Sequence, residues 1–253
     1  MKIAQISDIH LTEHGQVIWD TDTLSHFESA IQVLSKIKDL DAVIVSGDLS
    51  NDGSEWTYHY IDERLATLKL PVFCCLGNHD STSALSIDFK CLRFDREAMI
   101  GEWRFLFINS VSRDPDKLGF FKSRGLILDD DLALLESKIH TGIKTAVVLH
   151  HPPIEPGGWL NRKPLENKEV FNDIIRESDV KLVLYGHIHC AQQNNQSEIL
   201  YSSAPAIGFA YDKDLPKYQI ADGQEGISIL EFGKEIMIHT ELLPFTTKIE
   251  FAK

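Results

Sequence analysis

The sequence predicts an α/β fold whose strand ends carry chemistry. Three observations predict it. Short apolar runs of strand length recur along the chain, stripes with helical spacing separate several of them, and each run ends in a cluster of Asp, Asn or His. Open α/β sheets gather their binding groups at such ends.

The first run, KIAQIS, leads into Asp8-Ile9-His10. Leu24, Phe27, Ala30, Ile31, Leu34 and Ile37 then share one helical face. DAVIVS leads into Gly47-Asp48-Leu49-Ser50-Asn51-Asp52-Gly53, after which Trp56, Ile61, Leu65 and Leu68 mark a second helix. LPVFCCL leads into Gly77-Asn78-His79-Asp80. Phe94, Trp103 and the run RFLFIN at 104–109 open a second half. DDDLALLESKI reads as a helix because its leading acids meet the positive end of the helix dipole. TAVVL leads into His150-His151-Pro152-Pro153, ENKEVFNDIIRE is amphipathic, and KLVLY leads into Gly186-His187-Ile188-His189. The tail differs: EILYSSAPAIG, GISILEF and KEIMIHTELL read as strands without intervening helices, the last two joined by a hairpin turn at FGKE. A second, more antiparallel sheet packed on the first is expected.

The chain has 253 residues, 43% hydrophobic and 25% charged, the balance of a globular protein with room for a large core. No Pro/Gly/Ser-rich linker, low-complexity tract or repeat divides it, so residues 1–253 are expected to form one domain. No apolar run approaches the roughly 20 residues that span a bilayer. MKIAQISDIHL has too short an apolar stretch for a signal peptide, so a cytoplasmic location is expected. Cys74, Cys75, Cys91 and Cys190 match neither a disulfide framework nor a zinc-finger pair, and read as buried thiols. The net charge of -13 argues against stable nucleic-acid binding. It also repels a small anion, unless a local centre reverses the sign.

Asp8, His10, Asp48, Asn78, His150, His187 and His189 supply such a centre. Carboxylate, imidazole and amide oxygen form the donor set used by Mn, Fe, Zn and Co. Residues two apart on an extended backbone point to one side, a geometry open to His187 and His189 and repeated by Asp8 and His10. Each residue alone has a structural reading: Asp8 and Asp48 as helix caps, Asn78-His79 as a turn, His150 as part of a rigid strand exit. Five successive strand ends that each offer a donor are better explained by metal, and seven donors suit two ions with a shared carboxylate.

The series D-x-H, G-D, G-N-H-D, H and G-H-x-H resembles the calcineurin-like metallophosphoesterases over residues 8 to 189. SDIHL, SGDLSNDG, LGNHD, LHHPP and YGHIH look most like the bacterial class III cyclic nucleotide phosphodiesterases and related glycerophosphodiesterases. The resemblance implies a four-layer αββα sandwich, two mixed sheets flanked by helices, with a dinuclear metal site at the strand ends. It assigns Asp8, His10 and His189 to one metal, Asn78, His150 and His187 to the other, and Asp48 to both. His151 is then structural. The family places a histidine at the position of His79 that bonds a phosphate oxygen or protonates the leaving group; Asp80 is either its support or a helix cap. The protein phosphatase branch has G-D-x-x-D-R-G, and this chain, with Asn51-Asp52-Gly53, lacks the second Asp and the Arg.

The implied activity is hydrolysis of a small anionic phosphodiester, cyclic AMP first, by metal-activated hydroxide attack on phosphorus. A glycerophosphodiesterase or other small phosphoesterase is the alternative, and a non-catalytic scaffold the reading from another class. Substrate contacts are expected from Asn78, His79, Trp159 in the loop at 154–167, and Phe209 and Tyr211, whose rings suit stacking on a nucleobase. No membrane span is expected, and homo-oligomer formation is left open.

Overall fold

The computed structural model describes residues 1–112, 124–217 and 219–244. In the first sheet β1 (Lys2–Ile6), β2 (Ala42–Ser46), β3 (Val72–Cys75) and β4 (Leu92–Arg93) run parallel in that order. The second sheet begins with β5 (Glu97–Ile100) antiparallel to β6 (Trp103–Phe107), and continues in parallel through β7 (Thr145–Val148), β8 (Val180–Tyr185) and, beyond β9 (Gln192–Gln196), β10 (Ile199–Ser203). β9 forms its antiparallel edge. The last hairpin, β11 (Gly226–Phe232) and β12 (Ile236–Leu242), returns to the first sheet, with β11 antiparallel to β1.

Two expectations are thereby corrected. The second sheet is mainly parallel, and the closing hairpin belongs to the first. A strand pattern specifies extended backbone but not the edge that receives it. β11 is held on β1 because Ile227 and Ile229 fill the helix-side core while Leu230 fills the space between the sheets.

Side-chain alternation explains the layering. Ala4, Ile6, Val43, Val45, Val72 and Cys74 face α1 (Thr23–Leu34) and α2 (Glu55–Ala66), with Phe27, Ile31, Leu34, Tyr58, Ile61 and Leu65 in the same cluster. Their neighbours Ile3, Ala42, Ile44, Phe73 and Cys75 face Phe105, Phe107, Ala146, Val148, Leu182 and Leu184 of the other sheet. Leu106, Val147, Val183 and Tyr185 then pack outward against α3 (Asp129–Lys138) and α4 (Lys168–Ile175) through Leu135, Phe171 and Ile175. The period of two supplies apolar groups to both faces, so each sheet is covered on both sides. The result is the four-layer αββα sandwich, with the C-terminal ends of β1, β2, β3, β7 and β8 all opening into polar loops. Asp22 caps α1 by accepting from the Ser25 N–H at 3.0 Å, and Arg64 clamps Glu28 through two bonds of 2.6 Å to tie α2 to α1. No helix among the described residues is long and apolar enough to cross a membrane.

Candidate metal centre

The loops after β1 and β2 run side by side. Asp8 N–H donates to the Gly47 carbonyl, His10 N–H to that of Asp48, and Leu11 N–H to that of Leu49, at 3.0 to 3.1 Å. The loop after β3 is tied in by Asp80, whose carboxylate accepts from the N–H groups of Leu49, Ser50 and Gly77 and from the Tyr58 hydroxyl. Ser81, not Asp80, caps the short turn that follows. From the second sheet, Gly186 N–H bonds the His150 carbonyl and Tyr211 N–H bonds that of His189.

These ties bring the donors together in three groups whose candidate ligand atoms lie within 4.8 Å of one another: Asp8, His10 and His189; Asp48, His150 and His187; and His10, Asp48 and His79. Asp48 Oδ2 lies 3.5 Å from His10 Nε2 and 3.3 Å from His150 Nε2, so one oxygen faces both halves. Asn78 Oδ1 lies 3.2 Å from His150 Nε2. His187 and His189 therefore turn to different groups, not to one side as an extended segment would place them. The reason is backbone conformation. Asp8, His10, Asp48, His187 and His189 have φ of 52°, 48°, 52°, 69° and 54°, so these segments are left-handed rather than extended. Such non-glycine residues cost on the order of 1–3 kcal/mol each, and clusters of them mark functional sites.

Glycine is required where backbones close on the carboxylates. A Cβ at Gly77 would collide with Asp48 Oδ1, and one at Gly186 with Ser7 Oγ and Asp8 Oδ2. Asp8 in turn accepts the His187 N–H at 3.0 Å.

The electrostatics fit a cation. Burial pushes Asp8 up to about 7, with Asp48 adding to the effect and His150 opposing it. Burial also opposes ionisation of Asp48, but the charge of His150 and their hydrogen bond hold its carboxyl well below the usual range. His150, though buried, is raised to about 9 by Asp48. Burial pushes His10 down to about 4 and keeps His187 and His189 well below the ordinary value, so these imidazoles are neutral with lone pairs available. Ring orientation is also fixed: Nδ1 of His10, His150 and His189 donates to Asn51 Oδ1, the Ser46 carbonyl and the Phe209 carbonyl, at 3.1, 2.9 and 2.7 Å. Each Nε2 is left facing the centre, the usual arrangement around a metal-binding histidine. Buried carboxylates beside buried imidazoles, three of them neutral and His150 neutral once a cation displaces its proton, are the donor set of a binuclear metallohydrolase, and the residues present fit two divalent ions.

His79 is exposed, its Nδ1 donating to the Asn51 carbonyl at 3.2 Å and its ring 4.8 Å from that of His10. Asn51 thus orients both a floor imidazole and the exposed one. Sequence reading missed it, noting it only where a different branch has Asp. His151 is buried with Nδ1 2.9 Å from Ser110 Oγ, and lies outside all three donor groups. Burial pushes the Cys190 thiol up to about 12, which disfavours a thiolate ligand.

Phe209 and Tyr211 are only 1% and 3% exposed. Phe209 stacks on His10 at 4.8 Å, and Tyr211 stacks on His189 at 4.3 Å and 7°. Neither offers an open face to a base, which corrects the stacking expectation: both rings prop imidazoles. Trp159 donates its indole N–H to the Asp212 carbonyl and packs 5.4 Å from Tyr211. It borders an open cleft of about 590 Å³, also lined by Arg162 and Lys213, one aromatic layer away from the donor groups. Lys163, half-buried, sets its Nζ 5.4 Å over the Tyr211 ring. Burial pushes its pKa down while Asp8 and Asp48 pull it back.

A sequence profile described as calcineurin-like phosphoesterase matches residues 1–191. A 3',5'-cyclic-nucleotide phosphodiesterase of Nostoc sp. is 28% identical, with 99% of this chain and 95% of that protein covered. A probable cyclic nucleotide phosphodiesterase of Coxiella burnetii is 31% identical over 84% of this chain and 86% of its own length. A dimetal phosphatase from Danio rerio shares the fold at a TM-score of 0.70 and 11% identity, covering 97% of this chain and 99% of its own. The chain belongs to the calcineurin-like phosphoesterases. It is a metal-dependent phosphoester hydrolase with a dinuclear divalent-metal site.

Proposed function

We propose that this enzyme hydrolyses a small phosphodiester, and that its substrate is a 3',5'-cyclic nucleotide, cyclic AMP first. The observation that carries the reading is the end-to-end similarity to the Nostoc 3',5'-cyclic-nucleotide phosphodiesterase, a span that takes in the rim loops as well as the floor. Asp8, His10 and His189 would hold one metal and Asn78, His150 and His187 the other, with Asp48 between them. Manganese or iron suits this mixed carboxylate, imidazole and amide set. Bound there, the ions supply a water acidic enough to attack phosphorus near neutral pH and positive charge for the phosphoryl oxygens.

Asp8 and Asp48 return two of the four charges, leaving a centre of about +2 that draws a phosphate anion into a chain of net charge -13. With Nδ1 held by the Asn51 carbonyl, His79 keeps Nε2 for the substrate. Protonated, it donates to a phosphoryl oxygen or passes its proton to the leaving oxygen. All four cysteines are free thiols, which suits a reducing compartment, and we place the enzyme in the cytoplasm. The test is kcat/KM for cyclic AMP, glycerophosphoethanolamine and AMP with manganese. Cyclic AMP should be the fastest. Faster turnover of AMP than of either diester would end the phosphodiesterase reading, and faster glycerophosphoethanolamine would move it to glycerophosphodiesters.

A further inference from the structure

Two segments border the aromatic props of the centre. The turn at 18–21, where Trp19 has a φ of 47°, sets its indole 5.1 Å from Phe209. The loop at 154–167 borders Tyr211 instead, through Trp159 and Lys163. This second segment also forms the cleft of about 590 Å³, which opens between it and the 213–216 stretch. That volume falls within the range of small-molecule sites. The two walls are fastened to each other. Trp159 donates to the Asp212 carbonyl at 3.2 Å, and a Cβ on Gly158, whose φ is 57°, would come within 2.8 Å of the Lys213 carbonyl oxygen. Glycine permits both the close approach and the positive φ.

The charge inside this cleft runs against that of the chain. Acidic residues outnumber basic ones by 38 to 25, so an arginine ordinarily finds a carboxylate. Arg64, Arg96, Arg104, Arg124 and Arg176 do so at 2.6 to 2.9 Å, and Arg93 lies over the Phe73 ring. Arg162 is exposed in the cleft wall, and among the described residues its guanidinium has no ion pair, hydrogen bond or aromatic ring. Lys213 is answered by Asp214 at 2.7 Å, so the charge of Arg162 is left over in the lining. Next in the chain Lys163, without a carboxylate partner among the described residues, holds its ammonium 5.4 Å over Tyr211, the ring stacked on His189. Positive charge therefore continues from the cleft toward the metal centre. A planar fork of N–H donors with no protein acceptor, in a cleft beside a phosphoester site, suits a second phosphate.

We propose that this cleft is a second phosphate subsite, and that Arg162 in it selects phosphodiesters whose leaving group carries a further phosphate, as in a linear dinucleotide with a 5'-phosphate. The inference rests on the phosphodiesterase reading and adds a substrate class to it. In such a substrate the linking phosphate occupies the metal centre while the terminal phosphate of the leaving nucleoside meets Arg162. Water adds across the linkage: hydroxide bonds to phosphorus, the bond to the 3' oxygen breaks, and that oxygen takes up a proton. The dinucleotide pTpT then gives two molecules of thymidine 5'-monophosphate, and TpT gives thymidine and the monophosphate. Cyclic AMP has no second phosphate for Arg162 to meet. The contact exists in ground state and transition state alike, so it is expected in KM and not in kcat.

The experiment uses the manganese-loaded enzyme with Arg162→Gln, Arg162→Lys and, away from the cleft, Arg176→Gln. It measures kcat and KM for pTpT, TpT and cyclic AMP, and calorimetric affinity for thymidine 3',5'-bisphosphate and thymidine 5'-monophosphate. Wild type should prefer pTpT to TpT and the bisphosphate to the monophosphate. Arg162→Gln should raise KM for pTpT and weaken the bisphosphate by about 5- to 10-fold, the scale of an exposed but bidentate arginine–phosphate contact. TpT, cyclic AMP and the monophosphate should stay within about twofold, because their single phosphate does not reach the changed residue. Arg162→Lys should recover only part of the loss, since a point charge lacks the fork. Arg176→Gln removes the same charge elsewhere and should alter none of these values. Equal losses for pTpT and TpT, a pTpT preference that is absent in wild type or survives in Arg162→Gln, or the same loss in Arg176→Gln would overturn the inference. Turnover of cyclic AMP with neither dinucleotide cut would overturn it as well. If wild type cut none of the three diesters yet bound the bisphosphate through Arg162, the proposed function would fail and the second phosphate subsite would stand.

Discussion

On the floor of the site Asp8, His10, Asp48, His150, His187 and His189 are each at most 3% exposed, whereas on the rim Trp19 is 61% exposed and His79 is open to solvent. The two regions are also held differently. Floor imidazoles are gripped from behind by Asn51, Ser46 and Phe209, and floor carboxylates by backbone N–H groups such as those of His187 and His79. Rim groups hang from loops: His79 from one bond to a carbonyl, Lys163 from the end of a short 3-10 turn, Trp19 from a strained hairpin. The floor fixes buried donors in one geometry, whereas the rim sits in loops toward solvent. A change in the floor should therefore alter metal content and all substrates together, and a change in the rim should separate substrates while metal remains.

Asp48→Ala tests the comparison most severely. Without the oxygen that faces both His10 and His150, fewer than two metals per chain should remain and kcat should fall by roughly 10⁴-fold or more, as measured by metal analysis and steady-state kinetics. Two metals and ordinary turnover in this variant would remove the shared carboxylate from the scheme.

His79→Ala should keep both metals and lose about 10²–10⁴ in kcat, the range for a general acid or oxyanion donor. If metal content dropped in step with activity, His79 would belong to the floor. Asn51→Ala tests a residue that joins the two regions, since its side chain holds His10 and its carbonyl holds His79. Losing the side chain should weaken metal binding by about 10–100-fold, by analogy with other partners of ligand histidines. Unchanged affinity would show that burial alone orients His10.

pH should act on the floor through the metal-free protein. Asp8 is protonated up to about 7 and His150 up to about 9 before a cation binds. Both must lose that proton to serve as ligands, so metal affinity rises with pH and is lost as pH falls through those two values. Titration calorimetry in buffers of different ionisation heat should detect proton release, larger near pH 6.5 than near pH 9.5. Proton uptake would reverse the assignment. The smallest effect is expected at Lys163. Lys163→Met should leave metal content intact and lower kcat/KM by roughly 2- to 5-fold, the scale of a partly exposed ionic contact, with the loss larger for AMP than for a singly charged diester. A loss larger for the diester would mean that Lys163 acts on something other than phosphate charge.

The sequence by itself determined the donor chemistry. Carboxylate, imidazole and amide side chains are covalent facts, and their arrival after successive apolar runs can be read without coordinates. The near-continuous apolar runs in KIAQIS, DAVIVS and KLVLY likewise announce buried strands. Gly77 and Gly186 could be read as places of close approach, although not what approaches them. The sheet that receives the last hairpin was not legible, because it depends on which edge leaves room for Ile227, Ile229 and Leu230. Nor was the positive φ at His187 and His189, whose backbone bonds Asp8 and the 204–211 segment, distant in the chain. Asn51, Lys163 and Trp19 belong to residue types that loops use for many purposes. Only the folding of remote loops onto one another gives them a position beside the metal centre, and residue type alone does not announce that position.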